Sequence, residues 1–259
     1  MRPYEAIAVV YFAALAMAAL APRHGRPAWP VAAACAVMAV LVATVARYSG
    51  EVLRTWVPHV YLVAAYWLPA LLAPVVTHPT AFEGWLRQTD ARLGAGGRGL
   101  PSAMLHAAEV AYLFCYPLVP ASLMVIAVMG TAADVTRFWL AVLVAGFACY
   151  ASLPWLVSRP PRLAAGEDLL VPRGIAAVNA HVLGRVSHKL NTFPSGHVAV
   201  SLAAAACVLP VSSAAGALAG AIAVGVAVGA VTGRYHYTVD VLLGVAVAAA
   251  GLGIAFVII

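Results

Sequence analysis

Residues 237–259 read YTVDVLLGVAVAAAGLGIAFVII, and Asp240 is the last charged side chain of the chain. A helix needs roughly 20 apolar residues to cross the hydrocarbon layer of a bilayer. Backbone groups in lipid must bond within the segment, so an open run of this kind can only be a helix. Working back from this end, similar runs lie near Glu5–Ala21, Ala28–Ala46, Trp56–Val76, Ala103–Met129, Val135–Val157, His197–Val211 and Ala215–Thr232. With Tyr237–Ile259 they make about eight candidate spans, the sixth of them short. Composition agrees: the 259 residues are 64% hydrophobic and 9% charged, whereas soluble domains are about 25% charged. A soluble core of this size could not bury that much apolar surface. The expected fold is all-α, a polytopic membrane helical bundle.

The first apolar run carries Glu5 where a signal peptide has a positive region, and it ends at Pro22-Arg23-His24 without a small-residue cleavage site. It reads as the first span, not a removed leader. Cys35, Cys115, Cys149 and Cys207 each lie inside an apolar run without a close partner. They read as small buried hydrophobes, not as a disulfide framework or a metal site. The net charge of +6 is carried almost wholly by Arg, and Lys189 is the only lysine. These cations are strung between apolar runs, which points to anionic lipid head groups or a phosphorylated substrate, and away from nucleic acid.

Two connections are long and polar, residues 78–102 and 158–196, and one is the short turn 233–236. With about eight spans, all three fall on one membrane face. In the first, Trp85 and Arg87 suggest a stretch lying at the interface. Its Gly94–Gly99 piece lacks the Lys-Ser/Thr of a phosphate loop and reads as a linker. Glu109, inside the fourth run, is expected to pair with an arginine of the site or with His106. The glycines Gly216, Gly220, Gly225, Gly229 and Gly233 read as a packing stripe.

Three short segments on that face carry chemistry. Asn191-Thr192-Phe193-Pro194-Ser195-Gly196-His197 opens the sixth run. Ser195 can cap the helix that follows, and a helix N-terminus with free N–H groups suits a phosphate. His197 stands where a proton donor could reach a leaving oxygen. In Arg234-Tyr235-His236-Tyr237-Thr238-Val239-Asp240, His236 and Asp240 are four apart and share a helix face. A carboxylate on one imidazole nitrogen fixes the tautomer and frees the other nitrogen for attack. Arg234 adds a planar donor fork. Ser158-Arg159-Pro160-Pro161-Arg162 places two guanidiniums beside stiff prolines, a plausible phosphate clamp. A nucleophile, an acid for the leaving group and cations for the equatorial oxygens are what phosphoryl transfer needs.

Pro194-Ser195-Gly196-His197, followed by His236 and Asp240, resembles the second and third signature motifs of the type 2 phosphatidic acid phosphatase superfamily. The resemblance covers roughly Ala103 to the C-terminus. It implies a core of six membrane helices, placed within 55–259, with residues 1–54 as extra membrane helices. It also implies that His236 is a nucleophile forming a phosphohistidine, oriented by Asp240, and that His197 protonates the leaving alcohol. Ser195, the Gly196 backbone and Arg159 would bind phosphate oxygens, and neither metal nor cofactor is required. The family's first-motif lysine falls at Ser152 and its third-motif arginine at Ala230. Arg234 and Lys189 are the candidates to supply the missing cations. The Arg-Tyr-His-Tyr wording and Pro160-Pro161-Arg162 resemble the inositol-phosphorylceramide synthase branch, which transfers a phosphorylated head group.

The leading expectation is therefore a metal-independent lipid phosphate phosphatase in the cell membrane. Phosphotransfer to an alcohol stands beside it. A non-catalytic transporter or lipid-binding protein ranks last, because polar residues sit at span ends and no inverted repeat is visible. Most of the 15 Arg and Lys residues fall on the active face, which by the positive-inside rule is cytoplasmic. The resemblance implies the outer face, and arginines kept for phosphate bias the count, so the outer face is expected.

Overall fold

The computed structural model describes residues 1–21, 28–74, 80–93, 101–164 and 174–259. The helices run α1 Pro3–Leu20, α2 Trp29–Tyr48, α3 Glu51–Trp56, α4 Pro58–Ala70, α5 Ala81–Arg92, α6 Ser102–Leu113 and α7 Leu118–Met129. They continue as α8 Ala132–Tyr150, α9 Pro161–Ala164, α10 Ile175–Val186, α11 Gly196–Val208, α12 Ser213–Thr232 and α13 Thr238–Ile258. Among the described residues there is no strand, so the all-α bundle holds. The Gly94–Gly99 stretch, Pro22-Arg23-His24 and parts of the long connections lie outside the described residues.

Each of the eight apolar runs becomes helical, but not each becomes a full span. Five helices are long and apolar enough to cross a membrane: α1, α2, α8, α12 and α13. The run Ala103–Met129 is broken into α6 and α7, which bend by 62° and count as a sixth span if taken together. The break ends at Pro117, which has no N–H to give and crowds the preceding turn. The run at Trp56–Val76 yields α4 of 13 residues, with Pro69 in its last turn, and α11 also has 13 residues. Length alone therefore supports fewer spans than eight, because proline and polar capping residues cut the apolar runs.

The centre of the bundle is α8. A capping box starts it: the Thr131 side chain accepts from the Asp134 N–H, and Asp134 accepts from the Thr131 N–H. Residues Phe138 to Leu143 are all fully buried, as expected for a helix that is apolar all round. Its most apolar window is 67% buried, against 28% for α2, so α8 is wrapped by protein and α2 offers its sides to lipid. Helices α1, α4, α11 and α13 pack around it. On the α1 side, Tyr11 stacks on Phe147 at 4.1 Å, and Trp139 Nε1 donates to the Thr55 carbonyl at 2.8 Å. The glycine stripe of α12 works as expected at Gly225 and Gly229. A side chain at Gly225 would meet Ala111 at 2.6 Å, and one at Gly229 the Ala108 carbonyl at 2.3 Å, so α12 touches α6 backbone to backbone. Gly220 faces open space instead. All four cysteines are buried and free.

The two ends of the bundle differ in how charge is held. At the end opposite the long connections, Glu5 is 1% exposed. It receives Arg54 through Nε and Nη2, both at 2.8 Å. Arg2 pairs with Glu51 and Arg137 with Asp134. At the other end the long connections are partly helical. The chain 158–196 contains α10, and Asn179 on it, 1% exposed, bonds to Glu109 of α6. The chain 78–102 contains α5, whose Trp85 is 47% exposed, a position suited to the interface.

The buried Glu5–Arg54 fork predicts a contrast. Glu5→Ala leaves a guanidinium without its partner and should cost on the order of 3 kcal/mol. Glu51→Ala, at an exposed pair, should cost well under about 1 kcal/mol. Thermal unfolding of the detergent-solubilised variants measures both, and equal melting points would contradict the assignment.

Candidate active site

The three connections do converge, and backbone hydrogen bonds stitch them together. The Asn191 N–H donates to the Ser158 carbonyl at 2.8 Å, the Arg162 N–H to the Arg234 carbonyl at 3.2 Å, and the Ser195 N–H to the Asp240 carbonyl at 3.0 Å. Helix α5 joins them: the Thr80 hydroxyl donates to the Val157 carbonyl at 3.1 Å, and the Thr238 N–H to Asp90 Oδ1 at 2.6 Å. Phe193 is held edge-on between Phe82, at 5.0 Å, and Trp85, at 6.2 Å.

The Pro-Ser-Gly-His motif is built by local necessity. Ser195 is fully buried, and its Oγ accepts from the Val198 N–H at the start of α11. The Gly196 N–H donates to Thr192 Oγ1 at 3.1 Å. Gly196 also permits a close approach of α8, because a Cβ there would stand 2.3 Å from Tyr150 Cε1. Gly244, one turn after Asp240, lies against the Ser195 carbonyl, where a Cβ would come within 2.8 Å. These contacts fix the start of α13 against the start of α11, and with it the two histidines.

His197 Nδ1 lies 3.3 Å from His236 Nε2. On its far side, His236 Nδ1 lies 3.5 Å from Asp240 Oδ2. So Asp240 faces one ring nitrogen of His236, and the other ring nitrogen points towards His197. Asp240 is fully buried, and His236 is 4% exposed. Two further donors hold the same carboxylate oxygen: the Tyr237 N–H at 3.1 Å and the Asn191 side-chain amide at 2.7 Å. The Asn191 amide also reaches Ser158 Oγ at 3.2 Å. Asn191 is the residue that sequence reading passed over. It stands in the quoted motif, but only folding brings it under Asp240.

A cavity of about 580 Å³ opens beside the two histidines. Arg162, Lys189 and Arg234 line it, with Asn191, Thr192, Tyr112, Tyr235 and Glu109. Small and apolar residues of α10, among them Ala176, Ala180 and Leu183, form another wall. The Arg162 guanidinium sits 4.5 Å over the Tyr235 ring, and Tyr235 stacks on Tyr112 at 4.1 Å, so this cation is held in place by aromatic faces. Lys189 and Arg234 have φ of +64° and +56°. They are the non-glycine residues with left-handed backbones among those described, a conformation that costs about 1 kcal/mol or more and concentrates at functional sites. Beside Lys189, His188 stacks on Tyr66 at 4.1 Å. Burial pushes its imidazole down to about 4, so it adds no charge near neutral pH. Among the described residues, no group of three or more His, Cys, Asp or Glu side chains could hold a metal ion.

Some expected residues are placed differently. Arg159 does not line the cavity. Its Nε, Nη2 and backbone N–H all donate to Glu83 on α5, at 3.1, 2.9 and 3.1 Å. Glu83 is fully buried and demands a cation, so it captures the arginine nearest to it. Of the clamp expected at Arg159 and Arg162, one arm is structural and one faces the cavity. Ser195 and Gly196 lie behind the histidines, not in the cavity wall. Among the described residues, Glu109 pairs neither with an arginine nor with His106. Its Oε2 accepts from the Tyr235 hydroxyl at 2.7 Å and from the Asn179 amide, while His106 Nδ1 rests on the Ser102 carbonyl. Burial raises the Tyr235 phenol above its ordinary value, so it stays protonated as a donor. Ser152, where the resemblance expects lysine, bonds to the Phe193 carbonyl and ties α8 to the motif. Ala230, where it expects arginine, accepts the His236 N–H at 2.9 Å. Ala230 thus falls next to His236 and Ser152 against the motif, and neither carries a cation.

Comparison with known families gives a match to the PAP2 superfamily over residues 98–254. Comparison with curated proteins and with solved structures gives no match. The matched stretch is more than half of the 259 residues and takes in both histidines, Asp240 and the cavity-lining Arg162, Lys189 and Arg234. With this match joined to the convergence of Pro194-Ser195-Gly196-His197 on His236 and Asp240, the chain belongs to the PAP2 superfamily.

Proposed function

We propose that this protein hydrolyses a phosphomonoester or diphosphate of a lipid through a phosphohistidine. Membership of the PAP2 superfamily supports phosphatase-type chemistry in general. The finer reading is carried by one observation: the chain Asp240–His236–His197, with separations of 3.5 and 3.3 Å, at the wall of a cation-lined cavity. Asp240, 3.5 Å from His236 Nδ1, favours the proton on that nitrogen, so Nε2, beside His197 at the cavity wall, keeps the lone pair. Nε2 attacks phosphorus, the bond to the ester oxygen breaks, and protonated His197 gives its proton to the departing alcohol. His197, now neutral, takes a proton from water as the water attacks phosphorus, and His236 is released with inorganic phosphate. Arg162, Lys189 and Arg234 carry the charge of the equatorial oxygens. Ser195 and the Gly196 backbone contribute as the frame that aims His197, and Arg159 as the anchor of the neighbouring loop.

Transfer to an alcohol differs only in the second step, where a hydroxyl replaces water. It is favoured by the size of the cavity, about 580 Å³ with an apolar wall on α10, which leaves room for an acceptor beside a phosphate. The reading keeps residues 1–54 as extra membrane helices beside a core at 55–259. It assigns the active end to the outer face, because phosphate binding accounts for the cavity cations without any bearing on topology.

The decisive test is phosphate release by detergent-purified protein from phosphatidic acid, phosphatidylglycerophosphate and polyprenyl phosphates, with EDTA present. Release is expected to continue in EDTA and to fall at least about a thousandfold in His236→Ala; undiminished turnover in that variant overturns the nucleophile. The arginines should separate cleanly. Arg162→Ala should lower kcat/KM roughly 10- to 100-fold with little change in melting point. Arg159→Ala should chiefly lower the melting point, because it strands the buried Glu83. The reverse pattern would exchange their roles.

A further inference from the structure

Glu109 is an acid within an apolar helix, it lines the same cavity as the histidines, and the phosphatase reading gives it no part. An intramembrane carboxylate is costly and ordinarily functional. Its Oε2 is fully engaged by the Tyr235 hydroxyl and the Asn179 amide. The same amide donates to the Glu109 backbone carbonyl at 2.9 Å, so the carboxylate is locked in orientation. Among the described residues, Oε1 accepts no hydrogen bond, and no cation forms an ion pair with Glu109. Oε1 lies against Gly233, where a Cβ would stand 2.7 Å from it, in the turn that carries Arg234 and His236.

A fixed carboxylate oxygen in a cationic cavity selects its ligand. A phosphate oxygen is repelled by it, since both only accept. An ammonium group suits Oε1 but is repelled by Arg162, Lys189 and Arg234. A hydroxyl suits both sides, because it donates to the carboxylate and accepts from a guanidinium. We propose that Glu109 Oε1 is the acceptor of a subsite for a free hydroxyl on the alcohol portion of the substrate, beside the phosphate. The substrate class is then a lipid phosphate whose alcohol keeps a second, unesterified hydroxyl near the ester oxygen. This inference rests on the phosphatase reading of the same cavity.

The test uses two lipids that differ by one oxygen: lysophosphatidic acid, with a free 2-hydroxyl, and its 2-deoxy analogue with the same acyl chain. In the wild type, kcat/KM should favour the hydroxyl lipid by about tenfold or more. Glu109→Gln should bring the ratio towards one. Tyr235 and Asn179 both require an acceptor at the ε2 position, so the glutamine amide nitrogen must take the ε1 position and turn the acceptor into a donor. A wild-type ratio near one, or a ratio unchanged in Glu109→Gln, overturns the subsite. Binding is read separately in a His236→Ala background, as the rise in melting point that each lipid gives. A hydroxyl preference in binding without any wild-type turnover keeps the subsite and defeats the catalytic reading. His236-dependent turnover without preference defeats the subsite alone. If Glu109→Gln does not fold, the wild-type ratio and the binding preference decide the question.

Discussion

The carboxylate of Asp240 is the point on which the rest of the active end depends. It is fully buried, and a buried carboxylate must be surrounded by donors to be tolerated. Here two donors come from different connections, the Asn191 amide from the loop before α11 and the Tyr237 N–H from the turn before α13, and His236 Nδ1 lies 3.5 Å from the same oxygen. The backbone carbonyl of the same residue receives the Ser195 N–H. Satisfying one residue therefore fixes the distance between α11 and α13 and the orientation of His236. It also fixes the position of Asn191, whose own N–H is bound to Ser158.

Charge is sorted by the same rule. Two buried glutamates each hold an arginine. Glu5 holds Arg54 at one end of the bundle, and Glu83 holds Arg159 at the other. The cations that line the cavity are Arg162, Lys189 and Arg234. Two of these sit on left-handed backbone and the third lies over an aromatic ring. Positions held at a cost in backbone freedom, next to a histidine pair, fit a site organised before its substrate arrives. Glu109, which also lines the cavity, is held through one oxygen by tyrosine and asparagine.

The packing of small residues makes this arrangement possible. Gly196 lets α11 lie against Tyr150, Gly244 lets α13 lie against Ser195, and Gly229 lets α12 lie against the backbone of α6. In lipid, where apolar surface by itself gives helices little reason to associate, such close contacts carry much of the attraction. The same contacts set the histidines at 3.3 Å. The helices thus hold both the membrane fold and the catalytic geometry, and a methyl group at Gly196 would disturb the two together.

The sequence by itself determined the fold class, because a chain with 64% hydrophobic residues and long uncharged runs has no stable alternative to membrane helices. It also pointed to His236 with Asp240 four residues on, although His236 precedes α13, so the turn at Tyr237 and not a shared helix face brings the two together, and to the cap at Ser195. The joint role of His197 and His236 was legible through the family resemblance that their motifs carry. Tertiary structure alone decided the rest. Which arginine faces the cavity depends on where Glu83 packs, and Glu83 is far from Arg159 in sequence. Asn191 became a partner of Asp240, and Glu109 of Tyr235 and Asn179, through contacts between segments that no local pattern joins. The broken fourth run and the helix Ile175–Val186 also escaped a reading by apolar length, because proline placement and burial against α6 outweigh hydropathy there. Local periodicity reports what a helix is, whereas long-range hydrogen bonds to buried charge decide what each residue at its end can do.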